Sequence, residues 1–220
     1  MHKSVQVSVI VAAKNSQLYI GRCLRSLLNQ SFDQDKYEVI VINDGSTDKT
    51  KEAIKMFIGD IVYIENKKNK GLPESLNIGI NKARGQYIVR VDSDDWVHPE
   101  FINILFHHLN LNADLNAVAC DYYLVDNQQR ILSTQNCEKN PIGCGIMFHA
   151  MHLISIGLYD KKFLAREEED LIYRYKKKYK VTRIPVPLYR YRKHTNNLTK
   201  RKKIMDKYSK KMKSKHRYKK

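Results

Sequence analysis

The sequence predicts an α/β fold in which one Rossmann-like, mostly parallel sheet is flanked by helices and followed by a basic C-terminal tail. Three observations carry that prediction. Runs rich in Val and Ile alternate with segments of helical period, the pattern of strands that need helices on their faces. Two of those runs end in acidic turns, NDGSTD and DSDD, at the strand ends where open α/β sheets bind ligands. The 220 residues suit one domain of ordinary size with a real hydrophobic core.

The elements follow in order. A strand at Val5 to Val11 leads into a helix with Ile20, Cys23, Leu24, Leu27 and Leu28 on one face. YEVIVI, residues 37 to 42, is the second strand; Ser46 and Thr47 are expected to cap the next helix, which turns Ala53, Ile54, Phe57 and Ile58 inward. Ile61 to Ile64 is the third strand. Residues 73 to 84 form a helix, with Pro73 suited to its first turn and Gly85 to its stop. The fourth strand opens at Tyr87, and a helix begun at Pro99 buries Phe101, Ile102, Leu105, Phe106 and Leu109. Beyond residue 115 the pattern changes to a strand, LNAVACDYYLV, then a loop and a Gly-containing apolar segment, IGCGIMFHAMHLISIGLYD. The acidic cluster REEEDLIYRYKKKY runs into KVTRIPVPLYRYRKH, whose two prolines suggest an edge strand. After Thr199, Ile204, Met205, Tyr208 and Met212 recur at helical spacing, so the expected division is a domain over 1–198 and a tail over 199–220.

The net charge of +17 points to an anionic partner, and its placement narrows the choice. Residues 1 to 170 hold 19 Lys and Arg against 22 Asp and Glu, whereas residues 200 to 220 hold twelve bases and one acid, Asp206. A polybasic amphipathic helix suits an anionic membrane surface. A disordered, solubilising tail is the second reading. Nucleic acid ranks third and is disfavoured as a partner, because interleaved aromatics and a recognisable binding module are absent. Four cysteines without a CxxC pair fit a reducing, cytoplasmic compartment. VQVSVIVAA is interrupted by Gln6 and Ser8 and reads as a strand, and no run approaches the roughly 20 apolar residues of a membrane span. Membrane association is therefore expected to be peripheral, on the cytoplasmic face.

YIVRVDSDDWVHPE, residues 87 to 100, crowds Asp92, Asp94 and Asp95 at a strand end. Such carboxylates raise each other's pKa unless a cation lies between them. Hard oxygen ligands select Mg or Mn, and an ion held by one or two carboxylates keeps positions open for a diphosphate. An acidic turn capping the helix at Pro99 is the alternative. His149 and His152, with Cys144 nearby, form a weaker zinc candidate.

Five segments then matter together: VSVIVAAKN at 7 to 15, SLLNQS at 26 to 31, EVIVINDGSTDKT at 38 to 50, NKGLPESLNIGINKARGQYIVRVDSDD at 69 to 95 and LYRYRKHTNNLT at 188 to 199. In that order they resemble the inverting family-two glycosyltransferases of the glycosyltransferase-A fold. The resemblance implies a single glycosyltransferase-A domain that moves a sugar, metal-assisted and with inversion, from a nucleotide-diphosphate sugar to a saccharide or lipid-linked acceptor. It implies that Asp44 holds the nucleotide base, with Asn43 replacing the family's first acid. It makes Asp92 and Asp94 the "DxD" that binds Mn or Mg and the diphosphate, with Asp95 as helper, and assigns Ala12, Asn15, Lys70, Asn77, Ser93 and Arg192 to donor binding. The chain departs from the pattern at Ala12 and Lys14, where family members often have Pro and Tyr, and at Leu76, where many have Arg before the Asn. Lys14 either reaches an anionic part of the donor or is a solvated surface residue.

Inverting transfer requires a base beside the acceptor hydroxyl. AREEEDLIYR, residues 165 to 174, is similar to the family's "ED" helix; aligned on Leu171 and Arg174 it makes Glu168 the base, with Asp170 or Glu169 as the alternative register. The same acids also suit a helix N-terminus with no catalytic role. GCG at 143 to 145 is a close-approach loop or a plain turn. Arg190, Arg192, Lys193 and His194 are candidates for the diphosphate, and Trp96 either stacks on a sugar or belongs to the core. Rival classes fit less well. A DxD phosphotransferase usually has a small hydroxylated residue where this chain has Trp96, a sugar-nucleotide pyrophosphorylase needs a Gly-rich loop where it has AAKNSQ, and a binding protein on a degenerate scaffold is disfavoured by the intact Asp44, Asp92 and Asp94.

Overall fold

The computed structural model describes residues 4–193 and 202–216. Its first half alternates strand and helix: β1 (Val7–Ala13), α1 (Ile20–Leu28), β2 (Tyr37–Asp44), α2 (Thr50–Lys55), β3 (Val62–Asn66), α3 (Leu72–Lys82), β4 (Tyr87–Arg90), β5 (Trp96–Val97) and α4 (Phe101–Asn110). The second half adds β6 (Ala117–Val125), β7 (Ile131–Gln135), β8 (Ile146–His149), α5 (Ala150–Ser155), α6 (Glu167–Tyr175), β9 (Val181–Arg192) and α7 (Lys202–His216). The strands form one mixed sheet in the order β3-β2-β1-β4-β8-β6-β9-β5, with β7 paired to β6. β1 runs parallel to β2 and β4, β2 runs parallel to β3, and β8 enters antiparallel between β4 and β6.

Side-chain alternation sorts two cores onto the two faces. Val7, Val9 and Val11 of β1 face the helices α1, α2 and α4, through Leu24, Leu27, Ile54, Phe101 and Leu105. Ile10, one residue out of phase, joins Ile40, Ile42 and Ile88 under α3, α5 and α6, through Leu76, Ile80, Leu153, Leu171 and Tyr175. β2 is buried along its whole length because both of its faces are covered. The five apolar residues expected inward from the helix after Pro99 are all buried in α4. Helix α3 lies so close to the sheet at Gly79 that a Cβ there would fall 2.7 Å from both Ile10 and Ile42.

Several local expectations are corrected. Ser46 and Thr47 do not cap α2: Ser46 Oγ accepts from Asn15 N, and Thr47 N donates to Asn15 Oδ1. The helix starts later, at Thr50, where Asp48 Oδ1 accepts the Thr50 N–H. Ile58 is exposed. α3 ends at Lys82, and Gly85 instead lets the chain lie against β1, since a Cβ there would sit 2.6 Å from Ser8 N. β9 has β6 along one side but only the two residues of β5 on the other, so its stretch with Pro185 and Pro187 is an edge. The loop after β6 contains β7, and the apolar segment after it contains β8 and α5.

The basic tail is helical over Lys202–His216 and does not stand free. Tyr208 and Met212 are buried against Phe163 and Ala165, with Ile204 and Met205 packed beside them. A disordered tail is thus corrected for these residues. The expected boundary between 198 and 199 lies outside the described residues.

Candidate active site

The site forms where β1, β2 and β4 end, because parallel strands open one crevice at their carboxyl ends. Asn15 takes a left-handed backbone, φ 51°, which a short polar side chain tolerates, and ties the turn after β1 to the turn after β2. Ala12 lines β1 opposite Ile42, partly buried, and Lys14 is exposed. Asp44 is buried at the end of β2. Its Oδ1 accepts from Lys70 N at 2.8 Å and Asn66 Nδ2 at 2.9 Å, and its Oδ2 accepts from Gly71 N at 2.9 Å. An ionised carboxylate offers about four lone-pair sites, so Asp44 is fixed and retains capacity for a further donor.

The acidic turn after β4 is held from three sides. Asp92 accepts from Arg90 Nε at 2.7 Å and Nη2 at 3.3 Å. Ser93 Oγ lies 2.8 Å from Ser16 Oγ ahead of α1. Asp95 is almost fully buried and accepts from Tyr189 Oη and Arg192 N, each at 2.7 Å, while Arg192 Nε donates to the Asp94 carbonyl at 2.8 Å. Asp95 thus fastens the turn to β9. Burial, followed by the charges of Asp94 and Asp92, pushes the Asp95 carboxyl well up. Burial also raises Asp92, and with Asp94 and Glu167 it outweighs the opposing pull of Arg90.

Among the described residues, ligand atoms of Asp92, Asp95 and Cys144 lie within 4.8 Å of one another. The donor set fits a hard divalent ion through its oxygens, because crowded carboxylates that raise one another are relieved by a cation. Burial pushes the Cys144 thiol up and keeps it protonated, a poor ligand for such an ion. Asp94, expected as the second ligand, is partly exposed on the same turn and stands outside that group of three, whereas Asp95 belongs to it. Among the described residues His149 and His152 are not part of that group: His152 stacks on Tyr179 with ring centroids 3.9 Å apart, and His149 packs on Tyr87.

The candidate base lies on α6. Arg90 joins that helix to the acidic turn, donating Nη1 to the buried Glu167 Oε1 at 3.1 Å. Glu168 follows, and burial, then the Glu167 charge, push its carboxyl up to about 8. Gly143 passes between: a Cβ there would fall 2.6 Å from Glu168 Cβ and 3.2 Å from Arg90 Nη1. The close approach expected of GCG is therefore, at Gly143, to the side chain of Glu168. Gly145 supplies a left-handed turn, φ 71°.

Comparison with known proteins gives this arrangement a family. The family model for glycosyl transferase family 2 matches residues 8–211. The chain belongs to that family. A glycosyltransferase of Haemophilus influenzae is 37% identical over 144 residues, which is 62% of this chain and 44% of that protein. Residues 1–349 of S. aureus TarS, in complex with UDP-GlcNAc, superpose with a TM-score of 0.77 at 19% identity, over 88% of this chain and 60% of that one. The mannosyltransferase PcManGT from Pyrobaculum calidifontis, in complex with GDP-Man and Mn2+, gives 0.71 at 19% identity, over 87% of this chain and 58% of that one. The fold is thus the glycosyltransferase-A type, and the chain spans less than half the length of the H. influenzae relative.

Not every residue named from the sequence of this family member turns its side chain to the ends of β1, β2 and β4. Lys70 meets Asp44 through its backbone. Asn77 is buried and spends its amide on Tyr159, donating to the carbonyl at 2.8 Å and accepting from the N–H at 3.0 Å. Asp170 is fully buried and bound by Arg174, Lys215 and His216. Trp96 is a platform for cations, with the Arg22 and Arg192 guanidinium carbons 4.6 and 4.7 Å from its ring centroid. Arg192 also lies over Tyr19, Arg190 lies over Tyr123, and His194 lies outside the described residues.

Three residues beside the site were missed in the sequence: Arg22, Arg90 and Tyr189 as the anchor of Asp95. Arg90 carries the one available signal, a charged residue inside the apolar strand YIVRV. Arg22 Nη1 is a buried donor without an acceptor among the described residues. Burial, then Arg192, Arg25 and Arg190, lower the Arg22 pKa, which marks a crowd of cations beside the acidic turn.

Proposed function

We propose that this transferase moves a sugar from a nucleotide-diphosphate sugar to a saccharide or lipid-linked acceptor with inversion, and that Asp92 and Asp94, with Asp95 behind them, hold Mn or Mg. The observation that carries the reading is the Arg90 bridge, which ties the acidic turn to the start of α6. The immobilised Asp44 would accept an N–H from the nucleotide base, with Ala12, Asn15 and Lys70 around the nucleoside. Asn77 acts on the donor side by clamping Tyr159, which lies near Arg90 and Asp92, and Ser93 by joining the segment ahead of α1 to the acidic turn. The ion, when bound, supplies positive charge to the departing diphosphate. Arg22 and Arg192 add their charge from the Trp96 side.

Glu168 removes the proton from the acceptor hydroxyl as its oxygen bonds to the anomeric carbon, while the bond from that carbon to the diphosphate oxygen breaks on the opposite face. Burial suits it to the task, since a base poised near 8 has more drive to take a proton than an ordinary carboxylate. Ile172 and Lys176 continue the Glu168 face of α6 at helical spacing and line a cavity of about 260 Å³ with Ala119, Ile142 and Cys144. That lining favours an acceptor with an apolar part, as a lipid-linked saccharide has.

Among the described residues no helix is long and apolar enough to cross a membrane. The exposed Lys203, Lys207, Lys210 and Lys213 of α7 offer charge to an anionic cytoplasmic leaflet, each worth about 1 kcal/mol there. The apolar side of α7 is occupied by the domain, so contact is electrostatic and weakens with salt. The function is tested by NMR of UDP-GlcNAc and GDP-mannose incubated with the protein and Mn. Consumption of an α-linked donor with a β-configured first product supports the reading, and an α-configured product rejects inversion.

A further inference from the structure

Helix α6 has no side-chain N-cap of its own. Its N-cap, Arg166, is left-handed, φ 58° and ψ 24°, and makes no capping hydrogen bond. The first turn, which carries Glu167 and Glu168, is held from outside. On the sheet side the tether is Arg90 to Glu167, and on the other side the tether is α7. His216 Nε2 and Lys215 Nζ each lie 2.7 Å from Asp170 Oδ1, and Arg174 Nε donates to Asp170 Oδ2 at 2.9 Å. Arg166 Nε donates to the Met205 carbonyl at 3.3 Å, and Lys215 pairs with Asp160 at 2.8 Å. Lys211 Nζ reaches the Lys162 carbonyl, and Phe163, completely buried, packs on Tyr208 and Met212. One face of α7 therefore grips the chain from Asp160 to Asp170, and Glu168 lies between that grip and the Arg90 bridge.

We propose that α7 is a clasp, and that His216 and Lys215, through Asp170, are positioning residues that set the first turn of α6 for transfer. The proposal rests on the reading of Glu168 as the base. Asp170 has no direct part in the chemistry: it lies inside the clasp with its carboxylate fully engaged. A base displaced by about 1 Å is expected to lose on the order of a hundredfold in rate, whereas the donor pocket around Asp44 is built by other elements, β2 and the loop from Asn66 to Gly71. Loss of the clasp should therefore lower kcat and leave donor KM in place.

The test uses the full chain as wild type, His216→Ala, His216→Gln, Lys215→Met and Glu168→Gln. Two quantities are read: hydrogen–deuterium exchange of the amides of α6, and release of UDP from UDP-GlcNAc or GDP from GDP-mannose with Mn. His216→Ala is expected to speed exchange over residues 167–175 and to lower kcat roughly ten- to a hundredfold at unchanged KM. His216→Gln, whose amide nitrogen can stand in for Nε2, should recover both. Lys215→Met removes a partner that is 33% exposed where His216 is 4% exposed, and should give a milder form of the same two changes. Unchanged exchange in His216→Ala overturns the clasp, as does an unchanged kcat where Glu168→Gln abolishes release. Release by Glu168→Gln at the wild-type rate overturns the base assignment instead, and the clasp then stands or falls on exchange alone.

Discussion

Arg90 donates Nη1 to Glu167 at 3.1 Å, and both side chains are buried, 9% and 4% exposed. The same guanidinium holds the partly exposed Asp92 at 2.7 Å, so removing it strands Glu167 in the interior and takes the partner from a second carboxylate. Arg90→Met is expected to destabilise the fold by about 3–5 kcal/mol, the usual cost of breaking a buried pair. A fall in the urea midpoint at constant slope measures this. Arg90→Lys keeps the charge but not the fork and should fall between.

Glu168 gives a pH signature of its own. A base works only when deprotonated, so kcat/KM should rise as pH climbs through about 8 and level off above it. Glu168→Gln should remove that limb and lower the rate by about 10²–10⁴. The stability effect has a definite sign. Between the ordinary carboxylate value and about 8, the folded state keeps a proton that the unfolded chain has released, so stability falls as pH rises across that window. Urea midpoints of Glu168→Gln should slope less steeply there than those of wild type.

Gly143→Ala pushes a methyl to 2.6 Å from Glu168 Cβ. Overpacking of this kind costs about 1–3 kcal/mol, and here it displaces the proposed base. Turnover should fall while the affinity for UDP, measured by calorimetry, stays within about twofold of wild type.

Arg22 holds a buried Nη1 that has no acceptor among the described residues. Replacing it with Met should cost folding stability only the contact with Trp96, about 0.5–2 kcal/mol, because no protein hydrogen bond is lost at that atom. A hydrogen bond to a charged group contributes about 1.5–3 kcal/mol, so Arg22→Met should weaken nucleoside diphosphate binding roughly ten- to a hundredfold. Equal affinity in the two proteins would remove Arg22 from the site.

The sheet was legible in the sequence because its signals are local. Val7, Val9 and Val11 against Ile10 already describe a strand buried on both faces, and Asp44 and Asp92 fall at strand ends by position alone. What stayed hidden depends on partners far along the chain. Ser46 and Thr47 have the chemistry of caps, yet Asn15 claims them from 31 and 32 residues away. Arg90 and Glu167 are 77 residues apart, and Tyr189 reaches Asp95 across 94. β7 was missed because its residues are exposed or only partly buried on both faces and give no apolar alternation. The spacing of Tyr208 and Met212 announced an apolar helix face correctly, but periodicity cannot name what covers it, and here it is Phe163 and Ala165.

The central claim is that the crevice at the ends of β1, β2 and β4 binds a nucleoside diphosphate through a metal on the acidic turn. Thermal unfolding with UDP or GDP, each with and without Mn, in wild type and Asp94→Ala, tests it most directly. A nucleotide at a hundred times its Kd should add about 2.7 kcal/mol. The account predicts stabilisation by one nucleotide only when Mn is present, and its loss in Asp94→Ala. Stabilisation that is the same without metal, or that survives Asp94→Ala, would contradict it.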